Sequence, residues 1–479
     1  MADVRIETLG CRLNQIESEA TARLFTDSGF SISMEGVTAS SEPEVQTLLV
    51  IINTCAVTQK AEQKARRLIR LVLKKYEKAA VLVTGCYAQL SKNEIEQLDK
   101  RVVVLGGQVK SRLSKIPSIL KEFSAAGFDC ASFIDCVKND VVALPVLKQA
   151  FPEDSFKLST TSMLAHSRAS LKIQDGCNNS CSYCAIHIAR GHSVSLDVNT
   201  ALERVKALEK AGYDEVVLTT INIAQYKGEY TAPDKTVQLF DFVQLLKFLL
   251  SQTKNISFRI SSLYPEIVTD EFCKVIKDKR VRPHFHISVQ SGSDKILKLM
   301  NRHYGRSDVL EACKKIRLSK PQAFIACDII TGFPAETDQD FEETFTLCTE
   351  CRFSWIHAFP FSARPGTPAC SMKTKVPQSV SGERARRITE LAIKNKVEYI
   401  KSFEGKEVSA VVEKKVKEDS SGSLIYHCMT ENFIHCELKS SVELEPNQAV
   451  MVKILEPLAD RIKKGGEIEA ITEYIHTIY

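Results

Sequence analysis

No apolar run in this chain is long enough to cross a bilayer: the most apolar stretches, such as residues 48–52, fall far short of the roughly 20 residues a spanning helix needs. The first ten residues, MADVRIETLG, carry charges and lack an apolar centre of signal-peptide length, so a cytoplasmic protein with no membrane part is expected. Charge of one sign is scarce too. The formal net charge is only +5, which excludes a global basic field and makes any nucleic-acid surface local. No repeat of roughly 20 to 50 residues recurs, which excludes a solenoid.

What the chain does have is length and cysteine. With 479 residues, 44% of them hydrophobic, it can bury more than one core, and at roughly 100–200 residues per domain about three units are expected. Sixteen cysteines without an export signal do not make a disulfide framework, because cytosolic thiols are kept reduced. Their spacing has to carry the explanation.

Over residues 3–123 the runs VRIETL, LLVIIN and AVLVTG alternate with helical patterns at 15–28 and 59–77, which predicts βαβ units and a parallel sheet. Residues 1–125 read as one domain, and 126–165 as a connector in which VVALPVL is a short strand. Between 166 and 400 six further strands, SLKIQ, EVVLTT, ISFRIS, HFHISV, AFIACDII and WIHAFPF, alternate with helices such as 198–212 and 236–252. That pattern fits an incomplete (β/α)6 barrel. After a charged helix at 383–402, EVSAVVEKKV, SLIYHCMT, FIHCEL and AVMVKIL predict a small antiparallel β-barrel over 401–475. The expected fold class is α/β with three such parts.

Cys177, Cys181 and Cys184 stand in DGCNNSCSYCAIH, directly after the first barrel strand, where barrel active sites are built. Three thiolates on a four-iron cube leave one iron open to chelate a substrate by amine and carboxylate, the two groups of the methionine moiety of S-adenosylmethionine (SAM). Together with His187 the same loop makes a Cys3His zinc set, the competing reading. Cys11, Cys55 and Cys86 are far apart, yet each directly follows a strand, in IETLGC, LLVIINTC and VLVTGC. In a parallel sheet these positions gather at the carboxyl edge, and a second cube, its free iron holding a sulfur species, suits them. Taken singly, each reads as a small buried residue. The other ten cysteines, Cys130, Cys136, Cys273, Cys348 and Cys351 among them, lack this register and are expected in core or surface.

Taken together, these segments resemble the methylthiotransferases, a family of radical SAM enzymes. The resemblance runs through TLGCRLNQIESE, INTCAVTQKAEQKARRLIR, VTGCYAQ, DGCNNSCSYCAIHIARG, VVLTTINIAQY, RISSLYPE, FHISVQSGSDKILKLMNR, DIITGFPAETDQDF and FPFSARPGTPA, and covers nearly the whole chain. TLGC-x-x-NQ, and NTCAVT followed by a Lys/Arg-rich helix, are most similar to the threonylcarbamoyladenosine tRNA branch. The resemblance implies an N-terminal cluster domain, a central partial barrel and a C-terminal RNA-binding TRAM barrel. It implies two 4Fe-4S clusters, one on Cys11, Cys55 and Cys86 and one on Cys177, Cys181 and Cys184, with SAM on the second. SAM contacts carried over from the family fall on Ser261, Ser262, Gln290, Ser291 and the strand end from Asp328 to Gly332.

The activity so implied is transfer of a methylthio group to C2 of N6-threonylcarbamoyladenosine at tRNA position 37. One SAM would methylate cluster-held sulfur, and a second would give the radical that takes hydrogen from C2. Methylthiolation of isopentenyladenosine in tRNA or of a ribosomal-protein aspartate are the alternatives within the family, and a non-catalytic zinc RNA-binding protein is the alternative outside it. The implied partners are tRNA, an electron donor such as flavodoxin or ferredoxin, and a sulfur donor. Against the family pattern, Thr220, Ala224 and Ala335 stand where glycine is usual, and the arginine-rich run after the cluster loop is thinned to ARGHSVS, keeping Arg190.

An RNA surface is sought in residues 60–78, where Lys60, Lys64, Arg67, Arg70 and Lys74 oppose an apolar stripe of Ala61, Ala65, Leu68, Ile69 and Val72. Grouped cations suit phosphates, which supply affinity without reading sequence, and a solvated helix face is the plainer reading. Arg190 is placed with this set. The C-terminal barrel is acidic, with ten Lys plus Arg against fourteen Asp plus Glu over 401–479, so only a local patch such as Lys414, Lys415 and Lys417 fits RNA there. Tyr426 and Phe433 read as core first and base-stacking platforms second. Glu336 and Asp338 read as SAM-positioning groups or as charge at a helix N-terminus.

Overall fold

The computed structural model describes residues 2–42, 46–145, 151–160, 168–418 and 422–478. In the first part, strands β1 (Val4–Thr8), β2 (Ile32–Ser33), β3 (Leu49–Thr54), β4 (Ala80–Gly85) and β5 (Val102–Gly106) form a parallel sheet in the order β2-β1-β3-β4-β5. All residues of β3 and β4 are buried, which is why LVIINT and AVLVTG are almost continuously apolar. Alternate side chains face opposite layers. Leu49 and Ile51 meet α1 (Arg12–Asp27), and Val50 and Ile52 meet Ala65, Ile69 and Val72 of α2 (Gln59–Lys75). Each such fully buried aliphatic side chain is worth roughly 1.5–3 kcal/mol. Short helices α3 (Cys86–Leu90) and α4 (Lys92–Glu96) follow β4.

The stretch read as a connector is not structureless. After α5 (Ile116–Ala125), residues 130–137 form α6 (Cys130–Val137), whose Phe133, Ile134 and Val137 pack with Leu49 and Ile51 against the sheet. The strand expected in VVALPVL is absent from its described part: Lys138–Val142 is a π-helical turn, with Val141 in the same core, and 146–147 lie outside the described residues. Eight helical residues from 130 carry an Asp129 cap that accepts from the Ser132 N–H at 2.8 Å, a start signal present in the sequence but masked by the lack of periodicity around it.

The six predicted barrel strands are all present: β6 (Ala169–Lys172), β9 (Glu215–Thr219), β12 (Ser257–Ile260), β14 (His284–Gln290), β15 (Phe324–Thr331) and β16 (Trp355–Pro360). Between them lie β7 (Gln174–Asp175), α7 (Ile186–Arg190), β8 (Val194–Ser195), α8 (Val198–Lys210), β10 (Gly228–Thr231) and β11 (Val237–Phe240). They are followed by α9 (Phe242–Gln252), β13 (Ser262–Leu263), α10 (Asp270–Val275), α11 (Asp294–Leu299), α12 (Arg306–Ser319) and α13 (Asp338–Cys351). The parallel order is β6-β9-β12, then β13-β14-β15-β16, so the barrel is open, and a bend at Ser261 between β12 and β13 divides it. The helix expected over 236–252 begins only at Phe242. Residues 237–240 pair antiparallel with 228–231 instead, and Asp241 starts α9 with a capping box to Gln244.

A 24-residue helix, α14 (Gln378–Lys401), leads to a closed barrel of β17 (Glu407–Glu418), β18 (Leu424–Thr430), β19 (His435–Ser440), β20 (Ala449–Pro457) and β21 (Ala470–Thr477), with α15 (Ala459–Lys463) between the last two. Its strands are not all antiparallel: β19 and β21 pair in parallel, and β21, a strand not expected from the sequence, closes the barrel. Tyr426 is buried in this barrel, and Phe433 stacks on His284 at 4.0 Å between centroids, at the start of β14. Both aromatics therefore do core and interface work.

Candidate active site

Register brings the first cysteine set together. Thr8 lies beside Asn53, and Thr54 beside Gly85, so the residues that follow β1, β3 and β4 leave the sheet at one edge. Cys11 sits at the start of α1, Cys55 follows β3, and Cys86 opens α3. Thr58 accepts from the Ala61 N–H at 3.1 Å and starts α2 three residues beyond Cys55. The turns are tight. Gly10 has φ +112°, and a Cβ there would lie 2.6 Å from Cys55 Cβ and 3.0 Å from its sulfur. Asn14 fixes the two loops to each other: its Nδ2 donates to the carbonyls of Leu9 at 2.8 Å and Thr54 at 3.1 Å.

Burial pushes the Cys55 thiol up to about 11, with Cys86 and Cys11 raising it further, and burial likewise raises Cys86.

The second set lies in the loop after β7. Cys177 accepts the Asn179 N–H at 3.4 Å and Asn222 Nδ2 at 3.8 Å, while Cys184 accepts the Ile186 N–H at 3.5 Å. Burial pushes the Cys184 thiol up to about 12. All three cysteines line a cavity of about 370 Å³, which also receives Gln290, Asp328 and Arg302. Arg302, in the turn after α11, lies over the rings of Tyr183, Tyr264 and Tyr304 at 5.7, 5.1 and 5.5 Å. Its Nε and Nη1 are buried without a partner among the described residues. A cation with unspent donors beside three thiols is made for a carboxylate. It closes the segment FHISVQSGSDKILKLMNR, one of those that carry the family resemblance, but no site role was assigned to it from the sequence.

Of the other positions expected to touch SAM, Gln290 adopts φ +70° at the cavity, and Asp328 lies 2.9 Å from His286 Nε2. Burial alone would raise the Asp328 carboxyl, but His286, together with His357 and Arg302, holds it below its ordinary value. Ser261, Ser262, Ser291 and Gly332 do not line the cavity. Ser261 shares a hydrogen bond with Thr220 at 3.3 Å, Ser291 is buried against Thr344, and a Cβ on Gly332 would strike Ser381.

Glu336 is neither cap nor cavity group. It is buried, accepts the Gly332 N–H at 2.9 Å and binds Arg384 at 2.5 Å, whereas Thr337 and Asp340 make the capping box of α13. Asp338, exposed in the first turn, pairs with Arg384 at 2.7 Å. Thr220 and Ala224 keep ordinary backbone angles, whereas Ala335 takes the glycine-like φ of +68°.

Arg190 is the main correction. It is buried and reaches no outer surface: Nη1 donates to Asp175 at 2.9 Å and pairs with Glu17 at 3.3 Å, and Nη2 donates to Asn14 Oδ1 at 2.9 Å. Helix α7 thus begins beside Cys184 and ends at the first cysteine set, packed against α3. The basic helix α2 is as expected, with Lys60, Lys64, Arg67, Arg70 and Lys74 exposed and Ala65, Ile69 and Val72 buried. Glu62 of α2 is ion-paired to Arg364 at the cavity.

Both sets fit cubane clusters by chemistry: three thiols each, amide donors on the sulfurs of the second set, and unpartnered cation donors beside it. Among the described residues no three Cys, His, Asp or Glu side chains converge on a single ion.

Residues 171–348 match the Radical SAM superfamily, and residues 3–107 match the Uncharacterized protein family UPF0004. Fold and cysteine loop therefore define a radical SAM protein. Among solved structures, the radical S-adenosylmethionine methyltransferase TsrM from Kitasatospora setae shares the fold, with a TM-score of 0.51 at 12% identity over 77% of this chain and 74% of that one. Nearer in sequence, the chain is 42% identical to the threonylcarbamoyladenosine tRNA methylthiotransferase MtaB of Treponema pallidum, over 91% of this chain and 94% of that protein. It is 35% identical to the protein of that name from Thermotoga maritima, over 86% and 87%. The tRNA-2-methylthio-N(6)-dimethylallyladenosine synthase of Clostridium novyi is 30% identical over 87% and 86%. The chain belongs to the threonylcarbamoyladenosine tRNA methylthiotransferase family.

Proposed function

We propose that this protein transfers a methylthio group to C2 of N6-threonylcarbamoyladenosine at position 37 of tRNA, with SAM as both methyl donor and radical source. The observation that carries this reading is the pair of three-cysteine sites joined by α7. Identity of 42% to an enzyme named for threonylcarbamoyladenosine, against 30% to one named for dimethylallyladenosine, favours the first substrate.

In this reading Cys177, Cys181 and Cys184 hold one 4Fe-4S cluster, and Cys11, Cys55 and Cys86 hold the other. When bound, the first cluster supplies the electron that splits SAM, and the second carries the sulfur that is delivered. Arg302 receives the SAM carboxylate on its two free donors, and Gln290 and Asp328 orient the rest of the molecule. Ile330, Phe359 and Phe361 line the same cavity and keep water from the radical. The exposed cations of α2 hold tRNA phosphates. An electron donor of the flavodoxin or ferredoxin type and a sulfur donor complete the reaction, which takes place in the cytoplasm.

Nucleoside mass spectrometry of tRNA from cells lacking this protein tests the reading. Loss of the methylthio form with threonylcarbamoyladenosine accumulating is expected; an unchanged nucleoside profile refutes it.

A further inference from the structure

Behind the first cysteine set lies a closed group of charges. Glu17 takes Lys110, Lys172 at 3.0 Å and Arg190 at 3.3 Å, while Asp175 takes Lys172 at 3.1 Å and Arg190 at 2.9 Å. All five side chains are at most 6% exposed. Three cations face two carboxylates, so the group holds one positive charge too many. An uncompensated buried charge is costly, and in a native fold it has a counter-charge nearby. Among the described residues the other hydrogen-bond partners of this group are neutral: Asn14 accepts from Arg190, Asn53 accepts from Lys110 at 3.1 Å, and Ser155 donates to Asp175 at 3.1 Å.

The surplus is directed at the thiols. Arg190 reaches the cysteine loops through Asn14, whose amide also ties the carbonyls of Leu9 and Thr54, next to Cys11 and Cys55. The Nε of Arg190 is buried with no acceptor among the described residues.

We infer that Arg190 is the counter-cation of the cluster on Cys11, Cys55 and Cys86, and that the surplus charge of its buried network sets that cluster's reduction potential. This rests on the ligand assignment proposed above. Three thiolates carry more negative charge than an oxidised cubane core carries positive, so the filled site is anionic and balances the network. Each added electron makes the site more anionic, so a fixed cation beside it favours the reduced form. Arg190 is a positioning residue for charge. It also lies six positions beyond Cys184, so the helix that leaves one site delivers the cation to the other.

The test uses the full chain with Cys177, Cys181 and Cys184 replaced by alanine, reconstituted anaerobically with iron and sulfide, so that one site remains. Redox titration followed by electron paramagnetic resonance gives the midpoint. Arg190→Gln is expected to lower the reduction constant roughly tenfold, ~59 mV for a one-electron couple, while Arg190→Lys stays within about twofold. An unchanged midpoint in Arg190→Gln with full iron loading overturns the inference and leaves the ligand assignment standing. If Arg190→Gln does not fold, Lys110→Met decides, because it removes the same surplus from the far side of Glu17: a more negative midpoint supports the inference, and an unchanged one overturns it. A parent that binds no iron overturns the ligand assignment itself.

Discussion

Arg302 donates from Nη2 to the phenolic oxygen of Tyr183 at 2.6 Å, joining a residue of the cysteine loop to one 119 positions further on. One nitrogen is thereby spent on the loop, and the other two, Nε and Nη1, are buried without an acceptor among the described residues. The same side chain holds the loop and offers the carboxylate site.

Arg302→Met is therefore expected to weaken SAM binding roughly 10- to 100-fold, the loss of a charge-assisted hydrogen bond of ~1.5–3 kcal/mol. Equilibrium dialysis against the reconstituted protein measures it, with iron content as the control. Full iron with parental SAM affinity would remove Arg302 from the SAM site.

Gly10→Ala places a methyl group where Cys55 Cβ already stands, at a φ of +112° that L-residues rarely adopt. One of the two sites should fail and the other survive. Iron per chain is expected to fall from about eight to about four, since each cube carries four irons. Retention of about eight would mean that the loop yields without losing the cluster.

Charge reversal on α2 separates phosphate binding from a merely solvated face. Replacing Arg67, Arg70 and Lys74 by glutamate should weaken tRNA binding by tenfold or more. It should also flatten the salt dependence, by roughly one unit of slope for each phosphate that is no longer neutralised. Fluorescence anisotropy at several salt concentrations reads both, and an unchanged slope would assign the tRNA to another surface.

Acid should destabilise the fold in a defined window. Burial holds His435 down to about 3, from an ordinary 6.5. The unfolded chain thus takes up a proton there between about 6.5 and 4 while the folded chain does not, so stability is full above about 6.5 and declines as pH falls. Glu215, held down to about 2 by Arg259 and Arg282 against the effect of burial, adds a further loss below about 4.5. Urea midpoints measured from pH 7 to pH 4 should fall, and His435→Gln should flatten the decline between 6.5 and 4. A flat parental profile contradicts the assignment.

Much of this protein was legible from residue order alone. Central parallel strands are buried on both faces, so LVIINT and AVLVTG announce themselves as apolar runs, and a cysteine directly after each such run must emerge at the same sheet edge. The tight loop of Cys177, Cys181 and Cys184 is local and needs no fold to be noticed. Helix α2 carries its basic face within 17 residues, and local periodicity exposes it.

The roles of Arg190 and Arg302 were decided only by tertiary structure. In sequence Arg190 stands among a thinned basic run and reads as a surface group, but the partners that bury it, Asn14 and Glu17, come from the far end of the chain. Arg302 ends a segment that resembles the family, but its role appears only once Tyr183, Tyr264 and Tyr304 fold around it. Periodicity and spacing encode which face of an element is buried and where a ligand loop leaves it. The partner of a buried charge depends on elements brought together from distant parts of the chain, and that information exists only once the layers are packed.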